Sequence, residues 1–342
     1  MFTPPAFEIT LEILNLIAAI DEFKGAWRAS KPLPKPRLTA LKHAAIIAGI
    51  AASTRIEGAQ LADRDVELWL TKPKTTPSTP RDRREVIGFA RVLEEIFTTH
   101  DDKALTPRLI RRLHRDLLGY DAKDPRSRYK TERNDLTPVD GTGQPLAEIA
   151  TASPAATPRR VRDLVAWTNA ELAHGALHPL LVIAIFVAAF LEIHPFEHGN
   201  GRLSRVLATL LLRNSGYTYV PYSALEAAIE YDKDDYYQAI LAALAPAPYR
   251  QFWLSVFLRA LLQQTQVLAT LMEHERAVMA AMPDLSMQMT AHIATHGRAT
   301  ITELVALTGV NRNTLKYHLS QLVEARHLSL HGKGRGAWYE LG

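Results

Sequence analysis

The sequence predicts a mainly α-helical protein, a bundle with one short β-hairpin, followed by a small separate C-terminal domain. Three observations lead there. Apolar residues recur at helical spacing over most of the chain. One internal stretch, 119–153, lacks that spacing and carries turn-forming residues. After "AMPDLS" the texture changes to two short helices and a glycine-rich pair of strands.

Composition sets the bounds. The chain has 342 residues, 47% hydrophobic and 22% charged, as expected for two or three ordinary domains with cores of their own. It contains no cysteine, which excludes disulfides, thiolate metal sites and a cysteine nucleophile. That usage suits a reducing compartment, and the expectation is a cytoplasmic protein. The N-terminal apolar residues are interrupted by Glu8, Glu12 and Asp21, an amphipathic helix rather than a secretion signal. The most apolar run, 180–193, is shorter than the roughly 20 residues that span a bilayer, so no membrane partner is expected. It reads as a buried central helix with Pro179 in its first turn. The net charge of +4 is mild and argues little about nucleic acid by itself.

In chain order, Phe7–Trp27 reads as one amphipathic helix, closed by "KPLPKP". Thr39–Ile56 is a second, with Gly58 just past its end. The basic, proline-rich stretch 71–84 cannot continue a helix. Helical patterns follow at 84–99, 106–118, 157–174, 178–193, 201–214, 232–244 and 248–282, with a hairpin expected at about 126–138. The expected division is an N-terminal helical region 1–105, a core 106–245, connecting helices 246–283 and a C-terminal domain 284–342.

The chemistry concentrates in "HPFEHGNGRLSR", residues 194–205. Gly199, Asn200 and Gly201 precede an apolar helix, so their backbone N–H groups and the helix dipole favour an anion there. Glycine lets that backbone approach a phosphate closely. Arg202 and Arg205 project from one side of the first turn, and a guanidinium meets phosphate oxygens two at a time. His194 falls where the buried helix ends, a position suited to a general base.

This stretch resembles the Fic family signature, His-x-Phe-x-(Asp/Glu)-Gly-Asn-Gly-Arg-x-x-Arg, at every fixed position but one. "STRIEG" at 53–58 resembles the family's inhibitory motif, Ser/Thr-x-x-x-Glu-Gly, and "EVIGFARVLEEI" at 85–96 and "TASPAATPRRVRDLVAWTN" at 151–169 fall where Fic helices and connectors would. The resemblance covers roughly 40–245. It implies a Fic-type helical bundle with a hairpin flap that docks targets, and transfer of AMP from ATP to a Ser, Thr or Tyr hydroxyl of a target protein. His194 would take the hydroxyl proton and Phe196 would anchor the loop. Gly199, Asn200 and Gly201 would cradle the phosphates, with Arg202 on the β side and Arg205 on the γ-phosphate. Ser53, Glu57 and Gly58 would form the inhibitory segment, Glu57 occupying Arg205 in place of that phosphate.

The departure is His198, where the family has an acidic ligand for Mg²⁺; Glu197 stands one residue early. Imidazole is a poor magnesium ligand, so the metal's protein ligand is left between His198 and Glu197. Three readings stay open: AMP transfer with Mg²⁺ held mainly by phosphates and water, another metal or phosphate-containing substrate, or a DNA-binding regulator that binds nucleotide without transferring it. A zinc site from His194/His198 and His174/His178 is disfavoured, because Pro195 and the glycines interrupt any helix across 194–198.

The last 58 residues resemble a winged helix. Residues 285–342 hold six Lys/Arg against three Glu. Asn311 would cap a helix burying Leu315, Leu319 and Leu322. Its other face offers Arg312, Asn313, Lys316 and Tyr317 to a DNA major groove, with Lys333 and Arg335 reaching phosphates. A protein contact or a homodimer would use the same module.

Overall fold

The computed structural model describes residues 2–4, 6–73, 79–98, 104–119, 127–135, 149–244, 250–281 and 284–342, the side chains of 36, 250, 278–281 and 335 excepted. The chain is mainly helical. Its own contacts divide it into two units, 1–30 with 44–266, and 31–43 with 267–342.

In the larger unit, α1 (Leu11–Ala29) begins at Thr10, whose hydroxyl accepts from the Ile13 N–H at 3.2 Å. The periodic pattern starts at Phe7, but the cap sets the boundary later. Next, α2 (Lys35–Ile56) starts earlier than its periodicity suggests, because a proline in the first turn costs no helical hydrogen bond. It is followed by α3 (Asp63–Leu70), α4 (Arg81–Thr98) and α5 (Pro107–Leu117). The eight-residue α3, too short to show two turns of periodicity, escapes the sequence reading.

The centre of this unit is α7 (Pro179–Ile193), packed between α6 (Thr157–His174) and α8 (Asn200–Asn214). Nearly every side chain of α7 is buried, including Phe186 and Phe190, and each such burial contributes about 1.5–3 kcal/mol. That explains a run apolar on all sides. His178 caps its N-terminus, accepting from the Leu180 N–H at 3.3 Å through Nδ1 while Nε2 donates to Asp21 of α1 at 3.0 Å. The helices α9 (Leu225–Tyr231) and α10 (Lys233–Leu244) follow, and the indole of Trp253 on α11 (Arg250–Ala281) donates to the Ala184 carbonyl at 2.8 Å. The backbones of α4 and α5 approach closely: a Cβ on Gly88 would stand 2.6 Å from the Leu117 carbonyl oxygen. Only glycine fits there.

The smaller unit holds α12 (Asp284–His296), β1 (Ala299–Thr300), α13 (Ile301–Thr308), α14 (Arg312–Glu324), β2 (Leu328–His331) and β3 (Trp338–Leu341). The strands form an antiparallel sheet in the order β1-β3-β2, with Leu330 opposite Tyr339. Met289, Ile293, Leu304, Leu315, Leu319 and Leu322 meet in one core. Asn311 accepts from the Thr314 N–H at 3.0 Å, the capping contact expected from its position. The two-residue β1 has no sequence signal of its own. Arg37 ties the 31–43 segment to this unit, pairing with Glu275 at 3.4 Å and donating to His327 Nδ1 at 3.0 Å.

Of the hairpin expected at about 126–138, residues 127–135 contain no strand, and 126 and 136–138 lie outside the described residues. Among the described residues no helix is long and apolar enough to cross a membrane.

Candidate active site

His194, Glu197, His198, Gly199, Asn200, Gly201, Arg202 and Arg205 line one cavity of about 430 Å³, together with Glu57, Arg81, Leu118, Tyr236 and Tyr237. Its floor is the turn between α7 and α8. His194 ends α7 in the left-handed region at φ 49°, and Gly199 opens α8 at φ 79°. A Cβ on Gly199 would stand 2.8 Å from Leu118, so the turn needs glycine there on two counts.

Two residues fix the turn from inside. Phe196 is fully buried, its ring stacked on His114 at 3.7 Å between centroids and 8° between planes. Asn200 is also buried and spends its whole amide on Phe196, accepting from its N–H at 3.0 Å and donating to its carbonyl at 2.7 Å. What Asn200 offers the cavity is therefore its backbone. His114 donates Nε2–H to the His198 carbonyl at 2.9 Å.

A second brace comes from the segment before α6. The Lys130 ammonium is buried and donates to the Ile193 carbonyl at 3.1 Å, to Asn134 at 2.7 Å and to Thr151 at 2.7 Å, while its backbone N–H donates to Pro195 at 2.9 Å. Asn134 donates to the Phe196 carbonyl at 2.5 Å. Desolvation pulls the Lys130 ammonium down to about 8.

Burial holds His194 well below its usual range, to about 4. The nearby charge of Lys130 pushes the same way, while the Leu191 carbonyl and Glu57 oppose it. The ring is neutral at pH 7, the state a general base needs. Burial lowers His114 to about 4 as well. Both histidines titrate near 6.5 when unfolded, so the unfolded chain binds more protons between pH 6.5 and 4. Stability therefore falls as pH drops through that window, by up to about 1.4 kcal/mol per pH unit for each ring. Denaturant titrations at pH 7 and pH 5 would measure it. Equal stabilities at the two would contradict this assignment.

Arg205 is buried and points at α2. Its Nη2 donates to Glu57 Oε1 at 3.0 Å and to Ser53 Oγ at 2.8 Å. Glu57 Oε1 also lies 2.6 Å from where a Cβ on Gly201 would be, over the first turn of α8. The carboxylate thus lies beside the first turn of α8, where the helix dipole favours negative charge. Gly58 follows at φ 92° and turns the chain away. Arg55 secures this corner, gripping Glu230 of α9 with Nε at 2.5 Å and Nη2 at 2.8 Å, and Asp63 of α3 at 2.9 Å. The Tyr237 hydroxyl donates to the Ile56 carbonyl at 3.2 Å.

Arg202 pairs with Glu85, a buried carboxylate on α4 whose other oxygen accepts from Arg81 at 2.7 Å. Glu197 and His198 are exposed at the cavity edge, and Glu197 accepts from Thr131 at 3.5 Å, the weak limit of a hydrogen bond. Between α7 and α8 the chain is not helical, so His194 and His198 do not share a helix face. His174 ends α6, and His178 is engaged by Asp21.

In the smaller unit, α14 presents Arg312, Asn313, Lys316 and Tyr317 to solvent, Tyr317 being 65% exposed. Lys333 is exposed in the β2–β3 connection. The Arg335 side chain lies outside the described structure.

The sequence reading missed His114, Lys130, Asn134, Glu85 and Arg81. His114 had a signal, since it shares the apolar face of α5 with Ile110, Leu113 and Leu117. The others depend on pairings across at least 60 residues or on a neighbour one helical turn away, which spacing alone does not reveal.

Fold and cavity together define a helical protein that gathers a neutral histidine and three arginines around one helix N-terminus. Over residues 104–212 the chain matches the Fic/DOC family, so it carries a Fic/DOC family domain. It is 31% identical over 137 residues to protein adenylyltransferase Fic of Drosophila willistoni, 40% of this chain and 25% of that protein. Over 157 residues it is 26% identical to the protein adenylyltransferase and cysteine protease IbpA of Histophilus somni, 46% of this chain and 3% of that one. The chain thus spans a quarter or less of these two relatives. A Fic family protein from Desulfovibrio desulfuricans G20 shares the fold over the whole chain, with 98% of its own chain covered, a TM-score of 0.65 and 22% identity. A Fic domain containing signaling protein from Bacteroides thetaiotaomicron covers 75% of the chain, with 97% of its own chain covered, a TM-score of 0.56 and 25% identity.

Proposed function

We propose that the chain transfers AMP from ATP to a Ser, Thr or Tyr hydroxyl of a target protein, and that Glu57 restrains it. One observation carries the proposal: a neutral His194 shares a cavity with the N-terminus of α8, Arg202 and Arg205. In the reaction the target oxygen attacks the α-phosphorus and passes its proton to His194. The bond from that phosphorus to the bridging oxygen breaks, and pyrophosphate leaves with the electron pair. The Gly199–Gly201 backbone and the arginines stabilise the phosphate charge, which is most of what such a transfer asks of a protein. The relatives named protein adenylyltransferases support the same reading.

The test is α-labelled ATP, Glu57→Gly protein and a source-cell lysate, with the same variant also carrying His194→Ala as control. Label on a protein that vanishes in the control supports transfer. Nucleotide binding without any label would favour a nucleotide-binding regulator or another phosphate-containing substrate.

We infer a second function for the smaller unit, DNA binding by a winged helix-turn-helix. The observation favouring it is the solvent-facing row of Arg312, Asn313, Lys316 and Tyr317 on α14. Lys316→Ala should weaken binding to duplex DNA across sequences and lower the salt slope by about one. Salt-independent binding, or none, would leave this unit as a protein-contact module.

A further inference from the structure

The magnesium ion implied by the family resemblance does not fit the residues here, because Mg²⁺ asks for oxygen ligands and the motif position offers the imidazole of His198. Among the described residues no group of three or more His, Asp or Glu could hold a metal ion. Positive charge gathers elsewhere in the larger unit.

Three stretches, 107–117, 127–135 and 157–166, hold ten Lys or Arg against four Asp or Glu. Arg112, Arg115, Arg133, Arg159 and Arg160 each pair with a carboxylate, and Lys130 is turned inward. Arg108, Arg111, Arg128 and Arg162 remain, all exposed and with no ion-pair partner among the described residues.

Two observations bring these cations together around Tyr129. The Arg111 guanidinium lies 5.6 Å from the centre of the Tyr129 ring, a cation–π contact. Burial raises the Tyr129 hydroxyl, and the charges of Arg111 on α5 and Arg162 on α6 both oppose that rise, so both guanidiniums act on one phenol. Arg108 stands one turn before Arg111 on α5, and Arg128 adjoins Tyr129. Like charges placed together repel one another, and a bound anionic partner relieves that repulsion.

The patch is continuous with the motif turn. The Tyr129 ring packs on Phe196 at 5.5 Å between centroids, and the Lys130 backbone N–H donates to the Pro195 carbonyl at 2.9 Å. A partner seated on these arginines is held beside the turn that carries His194.

We propose that Arg108, Arg111, Arg128 and Arg162 dock an acidic segment of the target protein and so bring its hydroxyl to the site. The proposal rests on the reading of the chain as a transferase. On that reading the acceptor is a protein hydroxyl, so the partner is an acidic protein rather than a nucleic acid. Guanidiniums meet carboxylates two bonds at a time, and exposed cations at a contact edge set the association rate and its salt dependence.

The test is fluorescence anisotropy of a serine-containing peptide rich in Asp and Glu, against its Asn and Gln counterpart, on the full-length protein. The acidic peptide should bind about tenfold tighter at low salt and lose most of that margin at high salt. Arg111→Glu with Arg162→Glu should abolish the margin, whereas Lys316→Ala in the smaller unit should leave it. Both arginines are exposed, so the variant should fold, and circular dichroism would verify it. Arg162→Ala alone should still weaken binding about two- to fivefold. Equal binding of the two peptides overturns the proposal, as does a margin that survives the double reversal or is lost with Lys316. An oligonucleotide that binds through Arg111 and Arg162 more tightly than the acidic peptide overturns it in favour of nucleic acid. With α-labelled ATP in the Glu57→Gly background, the double reversal should reduce labelling of lysate proteins at unchanged ATP affinity. Unchanged labelling overturns the docking and leaves AMP transfer intact. Acidic-peptide binding through these arginines with no labelled protein sinks the transfer reading and leaves the acidic-partner surface standing.

Discussion

Glu57→Gly should raise AMP transfer by about ten- to a hundredfold. The magnitude follows from what Glu57 holds. Its carboxylate takes a hydrogen bond from Arg205 at 3.0 Å, and a hydrogen bond between charged groups contributes about 1.5–3 kcal/mol. A nucleotide must displace it to reach the same guanidinium, and that cost converts to one to two decades of affinity. The carboxylate also fills space, since Oε1 sits 2.6 Å from a Cβ position on Gly201. Glu57→Gln separates the two effects, because it keeps the bulk and removes the charge. Its rate should fall between those of wild type and Glu57→Gly. Rates measured with α-labelled ATP would decide it, and a glycine variant no faster than wild type would end the case for restraint.

His194→Ala in that activated background should lower transfer by about 10²–10⁴, the usual contribution of a positioned general base. The same change should leave ATP affinity within about threefold, because on the proposed reading the arginines and the α8 N-terminus would hold the phosphates. Rate and affinity measured on one preparation separate a base from a structural residue. A variant that lost both together would instead mark His194 as a support of the loop. That possibility is concrete, because His194 occupies a left-handed turn and its neighbour Phe196 carries the packing against His114.

Much of this was legible before any coordinates. The central helix announced itself as an unbroken apolar run, and the α7–α8 turn as a glycine pair after it. The pairing of Glu57 with Arg205 could be anticipated from two motifs 148 residues apart, and the geometry brings them together. Lys130 and Asn134 are the instructive omissions. Both fall in "SRYKTERND", assigned to a hairpin that touches targets, yet they reach inward to the carbonyls of Ile193 and Phe196. Their residue types say polar and exposed, and only the fold shows three acceptors, two of them buried, meeting the ammonium. Likewise Glu85 sits in a helix rich in charge, where nothing local distinguishes the one carboxylate that is buried.

The grip of Arg55 on Glu230 and Asp63 has a consequence in time rather than in energy. Those contacts tie the end of α2 to two other helices, so under the proposed restraint the backbone that carries Glu57 withdraws only when that corner opens. Opening of a packed segment is slow compared with diffusion of a small ligand. Nucleotide would then queue behind the corner: at rising ATP concentration the rate of loading would level off at the frequency of opening. The restrained protein would act as a timer as much as a lock.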